Sequence, residues 1–301
     1  MLVKNKTMEQ YTLNDLEKLT GIRADTIRIW EYRYSIVTPR RTETNRRWYT
    51  GDDLRKLINI SILNRYGTRI SEIATLPVDI LESRTEELVK GKNDPGLFTD
   101  SLVKAITEYN EEAVNEILLR ASIKLGFEKT FTNVVFPFLK KVGVLWHTGS
   151  VNIGSEHFIS NIFRQRLIAA IDSLTPSKSG NGMKLLMFLP ENEYHELGLL
   201  WYAYIAQSLG NRVIYLGQST PLSAVAEVST SWKPEMIITG TLSGKPLDDP
   251  DKFVRDLKAS FPESRILLSG FLADVAEKTG LVEVHPCRSE TELRKHLGNR
   301  K

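Results

Sequence analysis

The chain has 301 residues, of which 41% are hydrophobic and 26% are charged, and its formal net charge is +3. This length favours two or three domains, and since no apolar run is long enough to span a lipid bilayer, we expect no membrane partner. A single cysteine, Cys287, excludes a disulfide framework and a cysteine-based zinc site, and the N-terminus lacks an apolar signal region, so we expect a cytoplasmic protein.

The positive charge is concentrated in the N-terminal part of the chain. Residues 1–78 carry 14 Lys and Arg against 9 Asp and Glu. The arginines that form this excess are interleaved with tryptophan and tyrosine, a mixture typical of surfaces that bind phosphate. They are Arg23, Arg28, Arg33, Arg40, Arg41, Arg46 and Arg47.

The first predicted elements form a winged helix-turn-helix. Thr12 and Asp15 have the spacing of a capping box at the start of one helix, and Gly21 predicts the turn after it. A second helix follows from about Ala24 to Tyr32, and residues 40–49 predict a β-wing. Two helices joined by a tight turn are typical of DNA-binding modules, in which the second helix enters the major groove.

Residues 11–77 resemble the DNA-binding domain of MerR-type regulators. The matching pieces, in order, are Tyr11-Thr12-Leu13, Thr26 to Tyr34, Pro39-Arg40-Arg41 and Asn45-Arg46-Arg47-Trp48-Tyr49. The resemblance implies double-stranded promoter DNA as the partner. It assigns base or phosphate contacts to Arg23, Thr26 and Arg28, and contacts from the wing to Arg40, Arg41, Arg46, Arg47 and Tyr49. The alternative is a solvated basic face on a protein-binding module.

The predicted DNA-binding domain covers residues 9–78, and residues 79–96 are interpreted as a linker. Many MerR-type regulators dimerise through a long coiled coil, but residues 78–90 are too few and too polar for one, and Gly91 to Gly96 interrupt the helical pattern. We therefore expect a homo-oligomer, a dimer or a tetramer, that assembles through the C-terminal domains.

Residues 97–177 predict a four-helix bundle, because apolar residues recur there at intervals of three and four. The four predicted helices are residues 98–109, 111–125, 127–145 and 151–174. Two short motifs stand out in this region: Trp146-His147 and, after a gap of nine residues counted from the tryptophan, Glu156-His157. Considered alone, the tryptophan is a core residue and the histidines are surface residues.

The last segment, residues 182–301, alternates strands and helices and predicts a Rossmann-like parallel sheet. Its first strand, Lys184 to Pro190, is followed by Glu193-Tyr194-His195-Glu196-Leu197-Gly198. His195 therefore lies at the carboxyl end of a strand, where open α/β sheets bind ligands. Its ring can coordinate a metal while Glu193 accepts the other N–H. A histidine with a purely structural hydrogen bond is the alternative.

The pattern E-x-H-x-x-G after a first strand resembles the cobalamin-binding motif of corrinoid domains. The resemblance implies that His195 is the lower axial ligand of cobalt, that Glu193 supports it, and that Gly198 gives clearance to the nucleotide tail. A helical bundle before such a domain is similar to the cap that corrinoid proteins place over the cofactor.

The later cobalamin motifs are altered. The family's Ser-x-Leu after the third strand corresponds to Gly240-Thr241-Leu242, with Ser243 next, and its Gly-Gly after the fourth strand corresponds to Ser269-Gly270. Thr239, Thr241 or Ser243 can still offer a hydroxyl to the tail base, and Ser269 narrows the slot beside Gly270. These departures bear on the affinity for the cofactor and on its identity.

Together these parts resemble the CarH/LitR group of cobalamin-dependent photoreceptor repressors. The resemblance implies that Trp146 covers the adenosyl group, that Glu156 and His157 contact it, and that His147 ligates cobalt after light has cleaved the cobalt–carbon bond. The expected protein is thus a regulator rather than an enzyme, a multidomain α and α/β chain with adenosylcobalamin as its expected cofactor.

Two other interpretations stay open. The cobalamin domain could be vestigial, which would leave a DNA-binding regulator controlled by a partner or another ligand. The bundle and sheet could also form a corrinoid carrier for methyl transfer, although the wing arginines argue against it and no catalytic domain accompanies them.

Overall fold

The computed structural model describes residues 10–147, 152–174 and 182–298. The chain divides into two compact units, residues 1–162 and 163–301. The first unit is mostly helical and the second contains a parallel sheet. Among the described residues, no helix is both long and apolar enough to cross a lipid bilayer.

The first unit begins with the winged helix-turn-helix that the sequence predicts. Its elements are α1 (Leu13–Thr20), α2 (Ala24–Tyr34), β1 (Arg40–Arg41), β2 (Arg47–Trp48) and α3 (Gly51–Arg65). Complete capping boxes at Thr12 and Thr50 start α1 and α3. The left-handed backbone of Gly21 ends α1, and that of Asn45 turns the wing. Local sequence signals therefore fix the boundaries of this module.

The stretch interpreted as a linker is largely helical. After α4 (Ile70–Ile73), α5 covers Val78–Gly91 and buries Leu81, Thr85 and Val89, and it packs against α3. Residues 79–96 thus carry a packed helix and the start of the next one instead of an extended connection. The sequence interpretation missed this because the polar residues of α5 lie on its exposed face.

The predicted bundle is present, with one predicted helix divided into three pieces. Its elements are α6 (Pro95–Thr107), α7 (Glu111–Leu125), α8 (Phe127–Thr130), a π-helical turn (Phe131–Val135), α9 (Phe136–His147) and α10 (Ile153–Asp172). The prediction of a single helix over residues 127–145 was wrong at the π-turn, where the backbone N–H of Phe136 donates to Phe131. Pro137 cannot donate a helical hydrogen bond, and the wider turn beside it accommodates that loss.

The second unit is built on a five-stranded parallel sheet. Its elements are β3 (Lys184–Phe188), α11 (Leu197–Ser208), β4 (Arg212–Gly217), α12 (Leu222–Trp232), β5 (Met236–Thr241), α13 (Pro250–Ser260), β6 (Arg265–Gly270), α14 (Phe271–Thr279), β7 (Val284–Pro286) and α15 (Glu290–Leu297). The strand order is β4-β3-β5-β6-β7. The sequence predicted the first four strands and missed β7, which has only three residues.

This strand order places a topological switch point between β3 and β5. The chain leaves β3 toward β4 on one side and returns to β5 on the other side. The helices that follow β3 and β5 therefore diverge, and a crevice opens at the carboxyl ends of these two strands. The loop after β3, residues 189–196, carries His195 into this crevice.

Candidate cofactor site and DNA-binding surface

His195 lies at the end of the loop after β3, and its side chain is 54% exposed. Its Nδ1 lies 2.6 Å from Oε1 of Glu193, and its backbone N–H donates to the same oxygen at 2.9 Å. Because an ionised carboxylate only accepts hydrogen bonds, Nδ1 carries the proton. Nε2 is then the ring nitrogen that can coordinate a metal.

Glu193 is the anchor of this loop. Its side chain is 1% exposed, and its Oε2 accepts a hydrogen bond from the backbone N–H of Leu242, just after β5, at 2.8 Å. Burial raises the pKa of Glu193, but the hydrogen bonds from His195 and Leu242 favour the charged form more strongly, so its pKa lies below the usual 4.5. Glu193 thus joins the two loops at the switch point and holds the His195 ring.

A second buried carboxylate, Glu196, supports the loop on its other side. The Tyr215 hydroxyl on β4 donates to its Oε2 at 2.7 Å, and Nε of Arg164 on α10 donates to its Oε1 at 2.5 Å. Burial first, and Glu196 second, raise the pKa of Tyr215 well above its ordinary value. Sequence reasoning missed this network, because only the fold brings the three distant positions together.

The carboxyl ends of β5 and β6 fit a ligand with polar groups. The hydroxyls of Thr239 and Thr241 are buried and have no hydrogen-bond partner among the described residues. A buried hydroxyl left in this state costs about 1–3 kcal/mol, so a ligand group that reaches it is favoured. Two of the hydroxyls proposed from the sequence are therefore available to the tail of a cofactor, whereas Ser243 Oγ accepts a weak hydrogen bond from the N–H of Lys245 at 3.4 Å.

The altered serine and glycine positions lie directly opposite each other. Gly240 on β5 pairs with Ser269 on β6, and a Cβ built at Gly240 would lie 2.2 Å from the Ser269 Oγ. The Ser269 hydroxyl therefore occupies the space that a serine at position 240 would need. The two departures from the cobalamin pattern are thus an exchange between neighbouring strands, and a hydroxyl stays at this point of the crevice.

Glycines keep the rest of the crevice open. Gly270 has φ of 59°, and a Cβ there would meet the carbonyl oxygen of Thr241 at 2.1 Å, so this position requires glycine. Gly198 has no atom within 4 Å of a built Cβ and is exposed. Both glycines assigned by the resemblance are therefore compatible with a close approach of a ligand.

Exposed aromatic and aliphatic side chains follow the strands at the same edge of the sheet as His195. Tyr194, Leu242 and Phe271 follow β3, β5 and β6 and are 60%, 59% and 38% exposed. Three exposed apolar side chains at one ligand-binding edge favour a broad apolar ligand, since water solvates such a patch poorly. The donor set and this rim together fit the flat face of a corrin.

The four residues assigned to the upper face of the cofactor belong to the first unit. Trp146 and His147 are the last two residues of α9, and their side chains lie outside the part of the chain that the structure describes. Glu156 and His157 lie in the first turns of α10, where Glu156 is half-buried and His157 is exposed.

Most of the residues assigned to DNA lie on exposed surfaces. Arg23 and Arg28 are exposed at the N-terminal half of α2, and Thr26 is half-buried beside them. On the wing the exposed residues are Arg40, Arg41, Arg46 and Arg47. The guanidinium of Arg40 lies over the Trp48 ring at 5.2 Å, and Nη1 of Arg41 donates to the Asn45 side chain at 2.6 Å. These contacts orient the wing without hiding its charges.

Tyr49 is the exception, because it is completely buried. Its hydroxyl donates to Oε1 of Glu31 at 2.5 Å, and its backbone pairs with Tyr11. Burial and, next, the hydrogen bond to Glu31 raise its pKa strongly. The expectation that Tyr49 contacts DNA is therefore wrong for this structure. Tyr49 instead attaches the wing to the core of the module, a role that its position beside exposed arginines did not reveal.

Comparisons with known proteins agree with this architecture. Residues 11–76 match the MerR HTH family regulatory proteins, and residues 99–170 match a B12 binding domain. The chain is 30% identical over 258 residues to the HTH-type transcriptional repressor CarH of Myxococcus xanthus, which covers 84% of this chain and 85% of the relative. The chain belongs to the CarH family of MerR-type transcriptional regulators. It is a regulator of transcription and not an enzyme.

A second repressor and one solved structure are also similar to this chain. The HTH-type transcriptional repressor CarA, also of Myxococcus xanthus, is 25% identical over 227 residues, which is 75% of this chain and 74% of that protein. The fold is also similar to that of the Methanosarcina barkeri monomethylamine corrinoid protein, with a TM-score of 0.54 and 14% identity, over 66% of this chain and 94% of the other.

Proposed function

We propose that this CarH-family regulator binds adenosylcobalamin and that the state of this cofactor controls its affinity for promoter DNA. The observation that carries the proposal is the pairing of His195 with buried Glu193, which fixes the ring and presents Nε2 at the switch point of the sheet. When bound, adenosylcobalamin would supply a cobalt–carbon bond that light can break.

The chain's own residues divide the work of holding the cofactor. His195 would coordinate the metal from below, while Glu193 and Glu196 keep its loop in place. The nucleotide tail would meet the hydroxyls of Thr239, Thr241 and Ser269. Gly270 and Gly198 would leave room for the tail, and Ser243 would lie beside the entrance of the crevice.

The resemblance assigns the upper face to four residues of the first unit. Trp146 would shield the adenosyl group, Glu156 and His157 would contact it, and His147 would take the metal after illumination. Loss of the adenosyl group would then change the oligomer, a dimer or a tetramer, and release the DNA. A ligand can drive such a change only through different contacts in the two states, and these residues would supply them.

The DNA contacts proposed for this chain come from the helix-turn-helix and the wing. Arg23, Thr26 and Arg28 would face the major groove, whereas the exposed wing arginines would contact the backbone phosphates. Arg40, Arg41, Arg46 and Arg47 form that group. Their positive charge would give the complex a strong dependence on salt concentration.

The test is retention of the cofactor in the dark. We expect the purified protein, mixed with adenosylcobalamin and passed through gel filtration, to keep a bound corrinoid spectrum. His195→Ala should lose the spectral signature of the histidine ligand, whereas His285→Ala, which changes a histidine on β7, should keep it. If the unchanged protein retains no corrinoid, the domain is vestigial and another ligand or partner controls the regulator.

A further inference from the structure

A buried carboxylate links the DNA-binding module to the bundle inside the first unit. Asp100 on α6 is 5% exposed. Its Oδ2 accepts a hydrogen bond from Nη2 of Arg65, the last residue of α3, at 2.5 Å, and its Oδ1 accepts one from Nζ of Lys141 on α9 at 2.7 Å. The Asp100 carboxylate thus pairs with one cation of the DNA-binding module and one cation of the bundle.

These ion pairs border the surface proposed to read DNA. A cavity of about 520 Å³ lies beside the turn of the helix-turn-helix, and Arg23, Thr26 and Trp30 of that module line it together with Arg65, Asp100 and Lys141. The N-terminal end of α2 therefore faces the bundle across this cavity.

The contact is strong enough to restrain the module. Asp100 is buried and the Arg65 side chain is 43% exposed, so salt screens their ion pair only in part, and hydrogen bonds to charged groups are among the stronger ones in proteins. Around it, Nζ of Lys104 donates to the Asn59 side chain at 3.0 Å, and Nε of Arg55 lies 3.0 Å from Oε1 of Glu108. Polar contacts therefore accompany the ion pairs of Asp100 where α3 packs on α6.

We propose that the Arg65–Asp100 pair is a latch that positions the DNA-binding module against the bundle and must open before α2 enters the major groove. The inference rests on the proposed DNA contacts of Arg23 and Thr26. Lys141 stands on α9, the helix that ends at His147, so the latch is attached to the helix assigned to the cofactor.

Affinity for DNA in this arrangement depends on how often the latch is open. If only a fraction of molecules can bind, the apparent Kd equals the intrinsic Kd divided by that fraction. Weakening the latch therefore tightens DNA binding. Because the Arg65 side chain is 43% exposed and water screens the pair, we expect a change on the order of threefold to tenfold.

Three variants of the full chain separate the latch from simple charge effects. Asp100→Asn removes the acceptor charge, Arg65→Gln removes the partner across the interface, and Lys141→Gln removes a cation but leaves the Arg65–Asp100 pair in place. The probe is a fluorescein-labelled duplex with the sequence that the wild-type protein selects from a random pool, and the readout is Kd by fluorescence anisotropy.

If the latch exists, Asp100→Asn and Arg65→Gln both lower the Kd for DNA. The double variant has the same Kd as either single variant, because both remove the same contact. The Kd of Lys141→Gln stays within about twofold of wild type. If the substitutions acted only through net charge, their effects on DNA affinity would be opposite. Asp100→Asn would tighten binding, whereas Arg65→Gln, which loses a positive charge, would weaken it. Weaker binding by Arg65→Gln, or an unchanged Kd in both, overturns the proposal.

Folding of each variant is checked by its thermal melt. If Asp100→Asn does not fold, Arg65→Gln decides alone, because the Arg65 side chain is 43% exposed and tolerates the change. If the wild-type protein selects no duplex at all, the proposed DNA contacts fail first, and that failure is distinct from a failure of the latch.

Discussion

At the scale of single residues, the proposed cofactor site rests on one hydrogen-bonded pair, His195 and Glu193. His195 is exposed and can adopt several ring orientations unless a neighbour restrains it, and Glu193 provides the restraint through two hydrogen bonds to the same residue. Such supporting carboxylates are part of a metal site because they fix both the tautomer and the direction of the ligand.

Glu193→Gln should therefore weaken cobalamin binding by about 10- to 100-fold, the usual effect of losing a supporting carboxylate. The measurement is a spectral titration with adenosylcobalamin in the dark. Glu191→Gln, an exposed change two residues earlier in the same loop, is the matched control and should leave Kd unaltered. Equal Kd values for both variants would contradict the role of Glu193.

The same carboxylate makes a pH-dependent contribution to stability. Its pKa is lower in the folded state than the usual 4.5, so the ionised form stabilises the fold above that pH. The contribution is lost as the pH falls through the lowered pKa. The difference in free energy of unfolding between wild type and Glu193→Gln, measured with urea, should thus shrink on acidification below 4.5.

At the scale of elements, some residues of the wing carry exposed positive charge and others attach the wing to the rest of the module. Arg46 is exposed, whereas Tyr49 is buried and hydrogen-bonded to Glu31 on α2. Two residues three positions apart in one wing therefore have different physical roles. Their substitution should separate DNA binding from the stability of the module.

Arg46→Ala should weaken binding to any duplex and reduce the salt slope by about one, because one phosphate contact is lost. Tyr49→Phe should leave the slope unaltered but destabilise the protein by about 1–3 kcal/mol, since it leaves a charged acceptor without its donor. The measurements are Kd against salt concentration and urea unfolding. A changed dependence of Kd on salt concentration in Tyr49→Phe would show that Tyr49 does contact DNA.

Elements with strong local signals were predictable from the sequence, and contacts between distant positions were not. The cap at Thr12 and the apolar run of β3 fix their elements locally, so these were predicted near their observed ends. Other features depend on which elements become neighbours in the fold. These are the hydrogen bonds of Glu196, the ion pairs of Asp100 and the pairing of Gly240 with Ser269. No spacing within one segment could reveal them.

At the scale of the whole molecule, the chain joins a DNA-binding helical unit to a sheet with a cofactor crevice. Family membership establishes regulation of transcription, and the B12 binding domain indicates a corrinoid ligand. The adenosyl group, the response to light and the oligomeric form are proposals that connect these two facts. Their common consequence is that DNA affinity follows the state of the cofactor.

The most direct test of this account is DNA affinity in the dark and after green light, measured on the same sample loaded with adenosylcobalamin. The account predicts tight binding to the selected duplex in the dark and release after illumination, with protein lacking the cofactor unaffected by light. An unchanged Kd after the bound corrinoid spectrum has altered would contradict the claim that the cofactor controls DNA binding.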